Sequence, residues 1–415
     1  MHRTVVTLVT VVALNVMGLG TARAADFIVT WDNVADLVRQ RNLSLAAAQL
    51  EVDDARARAA ASGRWANPTL EVAFGFGSGT GERSTELGLF QSFPLTGRLG
   101  TERNQTRLQI LSAEAGVAEI ERQLVLEARL ELVELLAVRR HNDLLMGQLD
   151  LSQELATFTR DSAARGEISP IDAAQAKLDE ARRKSDLIRL RERRIESVGR
   201  LRHILGMSAT DTLRVEGALR DDSLSDRVVV PENVPSYRKA VLETQVARLD
   251  IDLEQARRVA DVELGVVTSF ERSEDVPVGF DDVVVFGVHL RAPIPLWNRN
   301  QANVRAVAIR AEGQERRMAA LAHQVRVQAE TDRLNMEQAR EVLVEIRGEL
   351  LPAAELHTES VERAYRDGLG DLQSALRARD QLLEIRIALI DALREFYRYR
   401  VLYEAAAVTT EGDSR

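Results

Sequence analysis

The chain has 415 residues, of which 29% are charged and only 4% aromatic, with a formal net charge of −9 and no cysteine. The acidic balance argues against nucleic acid as a partner, which needs clustered Lys and Arg. The missing thiols exclude disulfides, thiolate metal sites and a lipid-modified N-terminal cysteine.

The N-terminus reads as a targeting segment. Arg3 supplies positive charge, Val5 to Leu19 is an apolar run, and Ala22-Arg23-Ala24 is an A-x-A cleavage site, the three parts of a secretory signal peptide. The run is too short for a membrane-spanning helix. Residues 1–24 are therefore expected to be removed on export, and losing Arg3 and Arg23 takes the charge from −9 to −11. No later stretch is apolar enough to cross a bilayer as a helix, so any membrane segment must be made of strands. The long middle stretches are rich in Ala, Leu, Glu and Arg, which is the profile of long helices rather than of several compact α/β cores.

Two repeats follow, over 25–206 and 233–407, joined by a linker or equatorial segment at 207–232. In the first, Asp32 to Ser62 is an amphipathic helical stretch ended near Gly63 and Pro68. The period then changes to two. Leu70, Val72, Phe74 and Phe76 alternate with Glu71, Ala73, Gly75 and Gly77, and beyond the Gly-rich turn Leu87, Leu89 and Phe93 alternate with Glu86, Gly88 and Ser92. This predicts a β-hairpin over 68–94. From Thr96 to Arg165 apolar residues recur at three and four, Val117, Ile120, Leu124, Ala128, Leu132 and Leu135 forming one stripe. About 70 such residues make a rod on the order of 100 Å. A tip turn at 164–169 ends it, where Gly166 closes the rod and Ser169 caps the returning helix, with Pro170 in the first turn.

The second repeat has the same plan. A helix precedes a hairpin over 262–294, in which Val262, Leu264, Val266 and Phe270 oppose Glu263, Gly265, Ser269 and Glu271. On its second strand Val284, Phe286, Val288 and Leu290 oppose Gly287, His289 and Arg291. Pro94, Pro293 and Pro295 end the strand pairs. A second rod runs from Asn298 to Asp367, with a kink expected at Pro352. The second tip lies at 367–371, where Gly368 closes the rod and Asp371 takes the capping position; a tail at 408–415 follows. Pro94 to Gly166 is 72 positions and Pro295 to Gly368 is 73, while Gly166 to Leu205 and Gly368 to Ala407 are both 39. Two spacings that agree within one residue point to duplication.

Four strands of about ten residues have the length to cross a bilayer when tilted. They cannot close a barrel, and an open edge in lipid leaves backbone groups unpaired at several kcal/mol each. Three copies would give twelve strands with room for a lumen. Nine of the eighteen aromatics fall within 65–97 and 261–297, and Trp65 and Trp297 flank the first and last strands on one side, where a membrane girdle is expected. Pattern alone also allows a small soluble sheet.

These features resemble the TolC-like outer-membrane factors over nearly the whole mature chain: the duplicated strand–strand–long-helix plan, the Asn67-Pro68 entry to the first strand, and the Gly-rich tip turns. Ile294-Pro295-Leu296-Trp297-Asn298-Arg299-Asn300-Gln301 is similar to the PL-x-x-R-N-Q signature of the heavy-metal, CzcC-like branch. The resemblance implies an α+β protomer, mainly of long helices. It would give four strands to a trimeric twelve-stranded transmembrane barrel and its helices to a periplasmic α-barrel. It implies the outer membrane of a Gram-negative bacterium as the location, and a periplasmic adaptor and an inner-membrane RND-type pump as partners. Adaptor docking would use the tips, here Arg165, Gly166, Glu167, Ile168 and Ser169, and Gly368, Leu369, Gly370 and Asp371. Asp371 departs from the family's hydroxyl residue. Some members carry an acidic pair after the second tip; Ser374 and Arg377 stand there in this chain, so that ring is not carried over.

No catalytic motif is present, and neither enzyme activity nor a cofactor is expected. The six histidines are scattered, without a second His or a Cys at ligand spacing. His289 and Arg291 fall on the polar face of their strand with Glu71, Glu86, Glu263 and Glu271, making these six the pore-lining candidates. Carboxylate rings predict a modest cation preference. The function expected is a passive duct of a tripartite efflux pump, for heavy-metal cations by resemblance. A drug-efflux or type I secretion duct of the same fold, or a soluble periplasmic helical-hairpin adaptor, remain as alternatives.

Overall fold

The computed structural model describes residues 26–77, 82–219, 229–275 and 279–406. The expected signal segment, the 408–415 tail and most of the first hairpin turn lie outside the described residues. The first repeat comprises β1 (Asp26–Val29), α1 (Val34–Arg41), α2 (Leu43–Ala61), β2 (Thr69–Phe76), β3 (Arg83–Phe93), α3 (Arg98–Ala164) and α4 (Pro170–Ile204). After β4 (Thr212–Val215) come α5 (Pro235–Ala256), β5 (Val262–Asp275), β6 (Gly279–Arg291), α6 (Gln301–Glu345), α7 (Leu351–Arg366) and α8 (Leu372–Ala406). The duplication expected from the spacings is the plan of the fold.

The 67 residues of α3 make a rod of about 100 Å. Its apolar stripe sinks unevenly: Ala128, Leu132 and Leu135 are buried, while Val117, Ile120 and Leu124 are half-buried. The main core is a belt near the middle of the rods. Here Leu132 and Leu136 of α3 and Leu201 of α4 pack with Met336 and Leu343 of α6 and Leu393 and Phe396 of α8. On their outer surfaces the helices carry exposed apolar residues such as Phe158, Ile188, Ile195, Ile309 and Val344.

Three features differ from the sequence reading. The expected helix from Asp32 to Ser62 is broken at Asn42, whose side-chain oxygen accepts the Leu45 N–H at 2.9 Å and whose amide donates to the Ile204 carbonyl at 2.6 Å. Asn42 thus caps α2 and ties it to the end of α4. The linker at 207–232 contains β4, which pairs in parallel with β1 from Asp26↔Thr212 to Val29↔Val215. Strands of four residues carry too little alternation to be read locally. Just before Pro352 the helix changes character, a π-helical segment, Ile346–Leu350, preceding α7. The missing proline N–H and the ring's clash with the carbonyl four residues earlier are relieved by that wider turn.

Candidate channel wall and tip

The second sheet has the order β2-β3-β5-β6, all antiparallel. Its register lines up rows across four strands. One face carries Leu70, Leu89, Val266 and Val288 in one row, Val72, Leu87, Thr268 and Phe286 in the next, and then Phe74, Thr85, Phe270 and Val284. Most of these apolar side chains stand exposed, Phe286 at 79%. The fourth row, Phe76, Arg83, Arg272 and Asp282, ends the apolar band. At the other end the Trp65 ring meets Phe93 edge-to-face at 5.3 Å, and Trp297 stands exposed beyond β6. From Val262 to Phe270 the band runs about 27 Å along the strand before tilt, close to the roughly 25 Å apolar belt of an outer-membrane barrel.

The opposite face gathers all six pore-lining candidates. Glu71 pairs with Gly88, Glu86 with Ala73 and Ser269, Glu271 with Ser84, and His289 with Gly265. Glu263 lies opposite Arg291, whose guanidinium donates to its carboxylate at 2.8 Å. Sequence reading missed Phe90 on this face, because an aromatic among polar positions interrupts the alternation. Its ring covers the two glycines beside it: a Cβ built on Gly88 or Gly265 would come within 2.5 Å and 2.3 Å of it. It meets His289 edge-to-face at 5.7 Å and is itself buried. The two small positions in the polar pattern were the available signal, since glycine beneath an aromatic permits this packing.

The sheet is joined to the helices by the segment after β6. Asn300 sits in the left-handed region at φ 59°, the first turn of α6 beginning after it. Its amide donates to the Glu254 carbonyl at 2.9 Å and to the Glu254 carboxylate at 2.6 Å. That bond, above all, holds the Glu254 carboxyl below its usual range, against a smaller opposing effect of burial. Asn298 accepts the Asn300 N–H at 3.0 Å, and Gln301 accepts the Arg299 N–H at 3.2 Å. The motif residues therefore form a hydrogen-bonded corner between β6 and the end of α5.

Both tips are glycine-closed turns of one design. The Glu167 N–H bonds to the Ser162 carbonyl and that of Gly166 to Ala163; likewise Leu369 bonds to Ala364 and Gly368 to Tyr365, all within 2.9–3.1 Å. This is the Schellman pattern, which needs a left-handed residue, and Gly166 and Gly368 supply φ 75° and 73°. Ser169 caps α4 by accepting the Ile171 N–H at 3.1 Å. Asp371 caps α8 by accepting the Ser374 N–H and hydroxyl, each at 2.8 Å. These bonds hold its carboxyl below the usual range. Arg165 forks onto Glu167 at 2.7 and 2.8 Å, while Ile171 and Leu369 stand exposed. Ile168 is half-buried. Away from the tips, Arg183 bridges α4 to α8 through Asp380.

Among the described residues no group of three or more His, Asp or Glu could hold a metal ion, and no helix is long and apolar enough to cross a membrane.

The pattern of the outer membrane efflux protein family matches residues 34–207 and 230–401. Among solved structures the chain is similar to CusC, with 17% identity over 91% of each chain and a TM-score of 0.73. It is similar to a membrane protein from Pseudomonas aeruginosa, with 17% identity over 91% of this chain and 93% of that one and a TM-score of 0.72. The CmeC outer membrane channel of Campylobacter jejuni shares 12% identity over 91% and 85%, with a TM-score of 0.76. No curated protein sequence matches significantly. With both repeats matched and the two-faced sheet standing over paired helical hairpins, the chain belongs to the outer membrane efflux protein family.

Proposed function

We propose that three copies of this chain close one twelve-stranded barrel in the outer membrane and conduct heavy-metal cations out of the cell. In this reading it works with a periplasmic adaptor and an inner-membrane pump. The observation that carries the assembly is the sheet itself. Its apolar face is exposed and its outer strands β2 and β6 have no neighbour on one side among the described residues, so in lipid it needs further copies to satisfy its backbone. Twelve strands leave a lumen, whereas eight fill with side chains.

The inner face supports a cation preference. Glu71, Glu86 and Glu271 have no basic residue within ion-pair distance among the described residues, while Glu263 is neutralised by Arg291. Repeated in three copies, the free carboxylates lower the potential for cations. Support for metal rather than drug cargo is the PL-x-x-R-N-Q segment at 295–301. The tips at 165–169 and 368–371 are the proposed adaptor contacts, supported by their matched geometry and the exposed Ile171 and Leu369.

Reversal potentials of the purified channel in planar bilayers test the pore. Cation preference is expected, reduced by Glu71→Gln, Glu86→Gln and Glu271→Gln together, and anion preference in the unaltered channel refutes it. Cargo is tested by deleting the gene in its own host. Sensitivity to divalent metal salts without sensitivity to dyes and detergents is expected, and the converse refutes the metal assignment.

A further inference from the structure

A groove between α3, α4 and β4 belongs to neither the sheet nor the tips. It encloses about 810 Å³ over an apolar floor that includes Leu135, Val138 and Leu190. Four arginines, Arg139, Arg191, Arg194 and Arg214, line it against one carboxylate, Glu216. Two arginines nearby are neutralised: Arg193 pairs with Glu134, and Arg200 with Glu131 and Glu196. The four in the groove make no ion pair among the described residues, Arg139 donating only to the Val215 carbonyl at 3.3 Å. In a chain of net charge −9, an unneutralised cluster of this kind is a local exception. Guanidinium forks match carboxylates bidentately, so such a rim selects for anions.

The groove is also bounded by a strand edge. Among the described residues β4 has one partner, β1, and the Glu216 N–H reaches the Val29 carbonyl at 3.0 Å. In a parallel ladder alternate residues turn their backbone to the partner. Residues 212, 214 and 216 therefore face β1, and Leu213 and Val215 turn theirs to the groove. Arg139 occupies the Val215 carbonyl, and among the described residues the Leu213 N–H and C=O and the Val215 N–H are left to receive another strand. The Leu213 and Val215 side chains pack on the core, while Arg214 is exposed. A strand laid alongside would send alternate side chains to the apolar floor and to the arginines.

We propose that this groove binds an extended acidic segment of a partner protein, alternating acidic and apolar residues, which adds to the free edge of β4. Backbone pairing gives the affinity and the guanidinium rim the choice of sequence. The site is independent of what the channel carries, so it stands or falls separately from the metal assignment.

The test is fluorescence anisotropy on the purified, detergent-solubilised full-length protein, with a labelled hexapeptide alternating glutamate and valine as probe. Saturable binding is expected, at least tenfold weaker for Arg191→Gln/Arg194→Gln, with none for the lysine–valine counterpart. Methylating alternate backbone nitrogens of the probe should abolish binding on the methylated edge, a result that simple ion pairing would not give. Absence of binding overturns the proposal, as does binding that ignores the arginine substitutions or the methylation. Arginine-dependent binding of oleate in place of the peptide also overturns it, making the groove a site for anionic amphiphiles.

Discussion

Placing an arginine on either face of β6 tests the reading of the sheet with one strand. Phe286 is 79% exposed and lies in the fourth of five rows running from Val262 to Phe270 on β5, one row from the central Val266–Val288 row, which puts it close to mid-membrane. Gly287, the next residue, faces the other way, and a side chain grown from it meets nothing within 4 Å. Arginine on the lipid face at the midplane costs about 2–4 kcal/mol, a factor of roughly 30 to 700 per protomer. With three protomers sharing the barrel the cost is about 6–12 kcal/mol per assembly. Gly287→Arg puts the same charge into water and pays only for a lost glycine. The assay is refolding into lipid vesicles against urea, alongside the yield of heat-resistant oligomer in outer-membrane fractions. Phe286→Arg and Val288→Arg are expected to fail in both, Leu290→Arg to be milder toward the Trp65 end, and Gly287→Arg to assemble normally. Equal effects of Phe286→Arg and Gly287→Arg would refute the two-faced wall.

His141 is buried in α3 with its Nε2 unpartnered. Burial, above all, pushes its pKa below 6.5, with Arg193 of α4 and Arg394 of α8 acting in the same sense and Asp391 and Glu134 opposing. Since the folded state holds it neutral, stability is full above about pH 6.5 and declines as the pH falls from there toward the folded value. His141→Leu should flatten that slope in urea melts across pH 5–8, and an unchanged slope would count against it. Asn300→Ala removes two bonds to Glu254 and strains a left-handed residue, a loss on the order of 2–3 kcal/mol. Asn300→Gly relieves the strain and should recover about 1–2 kcal/mol of it, as read by urea midpoints at unchanged m-value. Asp371→Ala uncaps α8 at about 1 kcal/mol, measurable as faster hydrogen exchange confined to the first turn after Leu372.

The periodicities and turn chemistry of this chain were legible without coordinates. Strand alternation at 70–76 and 284–290, the rods, and the glycines of both tips follow from local sterics and from the repeat of side-chain direction, which every residue reports for itself. The placement of Glu71, Glu86, Glu263, Glu271, His289 and Arg291 on one face needed only the period of two. What the tertiary structure decided lies where distant segments meet. Asn42 breaks a helix to reach Ile204, β1 finds β4 across some 180 residues of chain, and Phe90 leaves its apolar neighbours to cover Gly88 and Gly265. Asn300 looked like a family signature and is a hydrogen-bonded corner. Each of these is stabilised by a partner far away in sequence, and neither composition nor spacing encodes which partner that will be.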